Sequence, residues 1–257
     1  MEILISQNNG VCELRLNRTS VFNSFNKTMA LQLQEALDNC KRDDTVRAIV
    51  ITGEGKAFCA GQDLAEAMDP EGPELQSIVR DHYNPIIERI RNIEKPVIAA
   101  VNGVAAGAGA NIALACDITI AKKSASFIQA FSKIGLIPDS GGTFFLPRII
   151  GLQKAMALMM TGDKVTADQA VELNMIYKSV DDEAFETEVT QFAELIAKMP
   201  TRGLGLTKKA LNASYSNTLT EQLALEETLQ TEAGETYDFR EGVNAFLEKR
   251  KPEFKGH

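Results

Sequence analysis

The amino-acid sequence predicts an α/β fold, with a mainly parallel sheet followed by a helical C-terminal region. Through the first two thirds of the chain, short β-branched runs alternate with segments of helical periodicity, a pattern typical of parallel strands joined by crossover helices. The last third is helical in pattern almost throughout. At 257 residues the chain fits one large domain with an extension, and we place the boundary between residues 1–200 and 201–257.

The N-terminal segment predicts a hairpin and then a strand–helix–strand unit. Ile3 to Ser6 and Val11 to Leu16 are strand-like runs separated by Asn8-Asn9-Gly10, whose residues tolerate positive φ. From Lys27 to Cys40, apolar residues recur at helical spacing, and the β-branched run Val46 to Thr52 follows. A sheet with helices on it is therefore expected from the first 52 residues.

The middle of the chain repeats this alternation. A helical stretch leads to Lys95-Pro96, Val97 to Val101 is an apolar strand, small residues of 105–117 open a helix, and Ile118 to Ala121 is strand-like. In such sheets ligands bind beyond the carboxyl ends of the strands, where loops meet helix N-termini. Further helices are predicted at Lys154 to Thr161, Ala167 to Leu173, Glu183 to Lys198, Leu204 to Ala213, Thr220 to Ala233 and Glu241 to Arg250.

Composition and charge exclude several classes of function. The chain has 27 Lys and Arg against 35 Asp and Glu, a net charge of −8, so its overall field repels nucleic acid. A phosphate-bearing small ligand is still compatible, because helix N-termini bind anions without positive side chains. The four cysteines lack metal-ligand spacing, and no dinucleotide-binding glycine pattern is complete, so we expect neither a metal nor a cofactor. We find no signal peptide or membrane-spanning run and expect a cytoplasmic protein.

Five segments resemble the crotonase, or enoyl-coenzyme A hydratase/isomerase, superfamily. They are GKAFCAGQDL (55–64), NGVAAGAGANIALACD (102–117), IGLIPDSGGTFFLPRIIG (134–151), TGDKVTADQAVELNMI (161–176) and REGVNAFLEKRKPEF (240–254), in the family's order from end to end. The resemblance implies a spiral of β-β-α units for residues 1–200. It also implies a homo-oligomer, either a trimer or a dimer of trimers, in which residues 201–257 contact other subunits and cover the active site.

The same resemblance implies a site for an acyl-coenzyme A thioester. Two backbone N–H groups, assigned here to Ala60 and Ala108, would form an oxyanion hole for the thioester oxygen, since an enolate forms only if its charge is stabilised. Gly107 and Gly109 could instead serve close packing, and Gly61 a turn. The residues expected to line the coenzyme A and acyl path, largely through backbone atoms, are Lys56, Ala57, Phe58, Gly61, Gln62, Asp63, Leu64, Gly107, Asn111 and Phe131.

The reaction expected from the resemblance is isomerisation. Hydratases of the family use two glutamates to activate water, but this chain has Asn111 and Phe131 where those glutamates should stand. An amide is no base near neutral pH, and a phenyl ring cannot hold water. Asp139, in Ile137-Pro138-Asp139-Ser140-Gly141-Gly142, matches the position where isomerases of the family carry a catalytic aspartate. One carboxylate can remove a proton as base and return it elsewhere as acid.

Several alternatives stay open from sequence. Pro138 to Gly142 is also good turn chemistry, in which the aspartate would only accept local hydrogen bonds. Asn111 could bind substrate or be a structural helix residue, and Tyr83 could line the pocket or lie at the surface. Within the superfamily the segments look most like the class that converts ring-1,2-epoxyphenylacetyl-coenzyme A to its oxepin isomer. A hydratase and a non-catalytic acyl-coenzyme A binding subunit are the competing interpretations.

Overall fold

The computed structural model describes all residues from Met1 to His257 and contains two sheets surrounded by helices. The strands are β1 (Ile3–Asn8), β2 (Val11–Leu16), β3 (Ala48–Gly53), β4 (Ala57–Cys59), β5 (Val97–Val101), β6 (Val104–Ala106), β7 (Ile118–Lys122), β8 (Ser126–Ile128), β9 (Lys164–Thr166) and β10 (Lys178–Val180). The helices are α1 (Lys27–Arg42), α2 (Leu64–Ala67), α3 (Leu75–Ser77), α4 (Asn84–Asn92), α5 (Ala108–Ala115), α6 (Gly142–Ile150), α7 (Leu152–Thr161), α8 (Ala167–Glu172), α9 (Phe185–Ala197), α10 (Thr201–Ala213), α11 (Leu219–Gly234) and α12 (Tyr237–Glu248). Residues Ile78–Tyr83 form a π-helical turn, and Thr19–Val21 and Ala130–Ile134 are 3₁₀ turns.

Consecutive strand pairs divide between the two sheets. The pairs β3–β4, β5–β6 and β7–β8 each place their first strand in a six-stranded sheet and their second in a four-stranded sheet. The larger sheet has the order β1-β2-β3-β5-β7-β10 and the smaller has the order β4-β6-β8-β9. Helical segments follow the pairs β3–β4, β5–β6 and β7–β8, which gives repeated β-β-α units. The pairings are parallel except for β1 with β2 and β8 with β9. The expected mainly parallel α/β fold is thus confirmed.

Sequence patterns explain the elements of the larger sheet. Strands β3 and β5 are apolar at nearly every position because both faces are covered, one by α9 and the other by a core that includes α1, α4 and α5, and all their residues are buried. Helix α1 begins after Asn26, whose side chain accepts the Met29 N–H, and buries the stripe from Met29 to Cys40. In the hairpin, Asn8 pairs with Val11, and Asn9 and Gly10 take positive φ.

The four-stranded sheet and the π-helical turn were absent from the sequence prediction. Each strand of the smaller sheet has only three residues, too few for an alternating pattern to register. The π-helical turn ends at Tyr83 and α4 begins at Asn84, just before Pro85, and His82 and Tyr83 are buried. The sequence prediction also lacks α2, α6 and β10, and the ends of the predicted elements differ from the observed ends by a few residues.

The larger grooves of the chain lie among its C-terminal helices. One of about 610 Å³ is lined by residues of α11 and α12 together with Pro200 and Phe254, and one of about 590 Å³ lies between α10 and α11. Neither contains a predicted site residue. No helix is both long and apolar enough to cross a bilayer, and no three His, Cys, Asp or Glu side chains are grouped as metal ligands.

Candidate active site

Asp139 begins a tight turn at the N-terminus of α6. The Gly142 N–H donates to the Asp139 carbonyl at 2.9 Å, and the two central residues, Ser140 and Gly141, have φ of 51° and 73°. Two positive φ values are the mark of a type I′ turn, in which glycine costs little at the second position and serine is less favourable. The turn therefore holds the aspartate backbone in one conformation.

The Asp139 carboxyl group is partly buried and lacks a basic partner. Ser140 Oγ donates to its Oδ1 at 2.8 Å, and Oδ2 has no partner. Burial raises the pKa of Asp139, although the Ser140 hydroxyl pulls that pKa in the opposite direction. No neighbouring charged side chain contributes to the shift. A carboxylate with a raised pKa and a free oxygen is chemically suited to act as a general base.

Two loops meet beside the N-terminus of α5. A methyl group built on Gly61, whose φ is 97°, would lie 3.0 Å from the Ala106 carbonyl oxygen and 3.6 Å from the Ala108 nitrogen. Ala108 is the first residue of α5, so no preceding turn of that helix can accept its N–H. The loop after β4 therefore approaches the loop after β6 at a helix N-terminus, which favours negative charge.

The donor assigned to Ala60 is corrected by the structure. The Ala60 N–H donates to the Phe22 carbonyl at 3.0 Å and is not free to bind a thioester oxygen. Gln62 lies two residues further along the same loop and forms a parallel bridge with Phe25. The hydrogen bonds of this bridge run from the Phe25 N–H to the Gly61 carbonyl and from the Asp63 N–H to the Phe25 carbonyl. The Gln62 N–H is left without an acceptor. It is the available donor of this loop.

Asn111 is fully buried with both ends of its amide hydrogen-bonded within the chain, which favours the structural role among the two left open by the sequence. Its Nδ2 donates to the Asp139 carbonyl at 2.9 Å, and its Oδ1 accepts from Gln129 Nε2 at 2.8 Å. Phe131 is buried, and its ring lies 3.8 Å from the position of a methyl group built on Gly107. Neither residue exposes a polar group that could hold a water molecule.

The remaining residues predicted for the coenzyme A path differ in exposure and in their partners. Ala57 and Phe58 bury their side chains, and the Ala57 carbonyl accepts from Asn23 and Asn102. Lys56 and Leu64 are exposed on either side of them. Asp63 pairs with Arg18 at 2.8 Å and caps α2. Partial burial acts to raise the pKa of Asp63, but its hydrogen bonds and the Arg18 charge outweigh burial and lower that pKa. Asp63 therefore holds the loop in place. Its carboxylate is already paired.

Three side chains were not assigned to the site from sequence. Tyr83 is buried, donates to Gln62 Oε1 at 2.8 Å and has a pKa raised well above its usual value, mainly by burial. Ser140 binds the catalytic candidate directly, and its place beside Asp139 was a usable signal. Gln129 carries no sequence signal, because only the fold brings it beside Asn111.

Comparison with known proteins gives one consistent picture. The family model described as "Enoyl-CoA hydratase/isomerase" matches residues 6–257. A protein of Escherichia coli named 1,2-epoxyphenylacetyl-CoA isomerase is 51% identical, with 100% of this chain and 99% of that protein aligned. The trans-2-decenoyl-[acyl-carrier-protein] isomerase of Streptococcus mutans is 38% identical over 99% of this chain and 98% of its own length.

Solved structures agree with the sequence relatives. The crystal structure of an enoyl-CoA hydratase from Bacillus anthracis superposes with a TM-score of 0.93 at 33% identity, covering all of both chains. The expected crotonase fold, with its β-β-α units and helical C-terminal region, is therefore confirmed. The full-length family match and the shared fold together establish that the chain belongs to the enoyl-CoA hydratase/isomerase family of enzymes.

Proposed function

We propose that this chain is an acyl-coenzyme A isomerase in which Asp139 is the only catalytic carboxylate. The observation that carries the proposal is a partly buried Asp139 without a cationic partner, in a chain that has Asn111 and Phe131 where the family resemblance places the two hydratase glutamates. A site with one base and no second carboxylate suits transfer of a proton between two carbons of one substrate. The 51% identical relative, named as an isomerase, supports the same reaction class.

The proposed mechanism uses the two loops and the carboxylate together. The N–H groups of Gln62 and Ala108 bind the thioester oxygen, and Asp139 takes a proton from carbon 2 of a 3-enoyl thioester. The electron pair of that C–H bond moves into the thioester, and the dienolate charge is stabilised by both donors. Asp139 then returns the proton to carbon 4, and the double bond lies between carbons 2 and 3.

The second substrate class we propose is ring-1,2-epoxyphenylacetyl-coenzyme A, converted to its oxepin isomer. The proposal rests on the name of the relative and on the buried Phe131 ring, which lies beside Gly107 at the N-terminus of α5. An apolar wall accommodates a ring and raises the pKa of a carboxyl group beside it. Sequence relatives also include hydratases, but Asn111 and Phe131 offer no group to activate water.

The experiment compares the unmodified protein with Asp139→Asn on three substrates: a 3-enoyl-coenzyme A, crotonyl-coenzyme A and the ring epoxide. We expect isomerisation to fall by about 10²–10⁴ in kcat in the variant, because the amide cannot accept the proton. Hydration of crotonyl-coenzyme A should be negligible in both proteins. Dominant hydration, or an unimpaired variant, would show that the assignment of Asp139 is wrong.

We further propose that coenzyme A runs along the loop from Lys56 to Leu64 and that the protein is a cytoplasmic homo-oligomer. Large apolar side chains exposed on the C-terminal helices support the second point, since such patches in a monomer usually mark an interface. We assign residues 1–200 to the catalytic spiral and 201–257 to subunit contacts and cover of the site. No cofactor other than the coenzyme A of the substrate is required by this chemistry.

A further inference from the structure

The polar contacts behind the candidate site form a connected chain of buried amides. Gln129 Nε2 donates to Asn111 Oδ1 at 2.8 Å, and Asn111 Nδ2 donates to the Asp139 carbonyl at 2.9 Å. Asn111 is completely buried and Gln129 almost so. The isomerisation chemistry described above uses neither side chain.

Each amide in this chain has its orientation fixed by the next. The Asp139 carbonyl can only accept a hydrogen bond, so Asn111 must direct its Nδ2 toward it and its Oδ1 toward Gln129. Gln129 must then present its Nε2, and its Oε1 is buried without a partner. A buried acceptor without a partner is destabilising, so this arrangement of Gln129 is maintained against a cost in stability.

The chain ends on a backbone atom of the turn that carries the carboxylate. The Asp139 carbonyl accepts both the Gly142 N–H of the turn and the Asn111 amide. Asn111 packs so closely that a methyl group built on Gly142 would lie 2.3 Å from its Nδ2. Asn111 also follows Ala108 by three residues on α5, and residues at that spacing share one helix face. The helix that presents the oxyanion donor therefore also fixes the turn with the base.

We propose that Asn111 and Gln129 are positioning residues, a relay that sets the Asp139 carboxylate at a fixed distance from the oxyanion donor of Ala108. The inference rests on the proposed function of Asp139 and extends it to two residues that never touch substrate. A displacement of about 1 Å at a reacting group can lower a rate by about 10²-fold, so the relay acts through geometry.

The experiment measures kcat, KM, the pH profile of kcat and the melting temperature for Asn111→Leu, Gln129→Met and the double variant. Both substitutions keep similar side-chain volume and remove the hydrogen bonds. Asn111→Leu should lower kcat for 3-enoyl isomerisation by about 10–100-fold with less than roughly threefold change in KM. Gln129→Met should have a smaller effect in the same direction. The double variant should match Asn111→Leu alone, because a relay broken at one link gains nothing from the second break.

The pH profile separates positioning from a purely structural role. A loosened turn admits water, so the burial-raised pKa of Asp139 falls and the acid limb of kcat moves to lower pH. The other titratable group facing Asp139 is Tyr83, whose pKa lies well above 10 and does not enter this range. Ser140, the remaining polar neighbour, does not titrate.

Thr119→Val is the matched control. Thr119 Oγ1 donates to the Ala113 carbonyl at 2.8 Å near the other end of α5 and is buried, so its loss tests stability without reaching Asp139. Relay variants that lose melting temperature like this control, with kcat and the acid limb unchanged, would overturn the inference. Should Asn111→Leu fail to fold, Gln129→Met carries the same test. Undiminished isomerase activity of Asp139→Asn would instead show that the proposed function of Asp139 is wrong.

Discussion

The partial burial of the Asp139 carboxyl group affects the stability of the protein as well as its proposed chemistry. The pKa of Asp139 is raised because burial penalises its charged form and no cation lies beside it. Such a group binds more protons in the native state than in the unfolded state over the interval between its two pKa values. The free energy of unfolding therefore falls as pH rises from the ordinary carboxyl value of 3.8 through the native pKa.

Asp139→Asn should accordingly be more stable than the unmodified protein at neutral pH. The amide fills nearly the same volume, can still accept from Ser140 and carries no charge to desolvate. We expect a melting temperature higher by roughly 2–4 °C, the change that about 1 kcal/mol produces in a chain of this size. The gain should shrink on acidification and vanish below pH 3.8, where the carboxyl group is protonated in both states.

Calorimetry across this pH range checks the prediction. Asp163→Asn, at an exposed position, serves as the control and should leave the melting temperature unchanged at every pH. A variant at Asp139 that is less stable than the unmodified protein at pH 7 would mean that the carboxylate makes a favourable interaction in the fold. A variant that gains stability and loses activity would show that the buried charge of Asp139 is kept for activity at a cost in stability.

Residues differ in how much of their role can be predicted from sequence. Asp139 could be proposed from sequence because a side chain that can exchange protons stands in a recognisable segment. Of the two oxyanion donors, Ala108 is the one assigned from sequence that stays in the proposal, whereas the donor of the other loop could not be chosen, because every residue of that loop carries an N–H and only the fold decides which are paired. Ala60 and Gln62 lie two positions apart, and the choice between them depends on Phe22 and Phe25 from a distant part of the chain.

At the scale of elements, the longer strands of the larger sheet could be predicted, whereas β10 and the strands of the smaller sheet could not. Strands β3 and β5 have six and five residues, whereas β4, β6 and β10 have three each. A run of three residues is too short to show an alternating hydrophobic pattern, so a short strand is recognised only from the strands with which it pairs. The loops that form the candidate site leave from these short strands, so the sheet that organises the site is the one with the weakest sequence signal.

Helix α10 is attached to the core through a buried ion pair at its centre. Lys208 Nζ donates to Asp117 Oδ2 at 2.7 Å and to the Ile90 carbonyl at 2.6 Å, and burial lowers the pKa of this lysine despite the neighbouring carboxylate. Asp117 also accepts the Val97 N–H and contacts Arg91 at 3.4 Å. The carboxylate thus serves three partners and the lysine two.

This asymmetry predicts unequal effects of the two substitutions. Asp117→Ala leaves Lys208 and Arg91 facing each other without a counter-charge, and we expect a loss of about 3–5 kcal/mol in the free energy of unfolding. Lys208→Met keeps the apolar stem packed and leaves Asp117 paired with Arg91, so the loss should be about 1–2 kcal/mol. Urea denaturation of the two variants measures the difference. Equal losses would show that Asp117 has no role beyond its pair with Lys208.

At the scale of the whole molecule, the C-terminal helices present more apolar surface than they bury. Helix α12 exposes Phe246 at 83% and Leu247 at 71%, and the groove of about 610 Å³ beside it is lined by further apolar side chains. Only Leu229 is buried along the 16 residues of α11. A helix that buries so little in its own chain can gain stability by packing against another surface, and the homo-oligomer proposed above would supply that surface.

We therefore expect Phe246→Glu to disrupt the assembly. The unmodified protein should sediment as a trimer or a dimer of trimers, and a charge at this exposed aromatic position should shift it toward the monomer, because an unpaired carboxylate is costly to bury in an interface. Ile5→Glu, at a side chain of 53% exposure on β1 outside the C-terminal helices, is the control and should leave the assembly intact. Analytical ultracentrifugation distinguishes the outcomes. An intact oligomer of Phe246→Glu would place the subunit contacts away from α12. A monomeric unmodified protein would show that the predicted assembly is wrong.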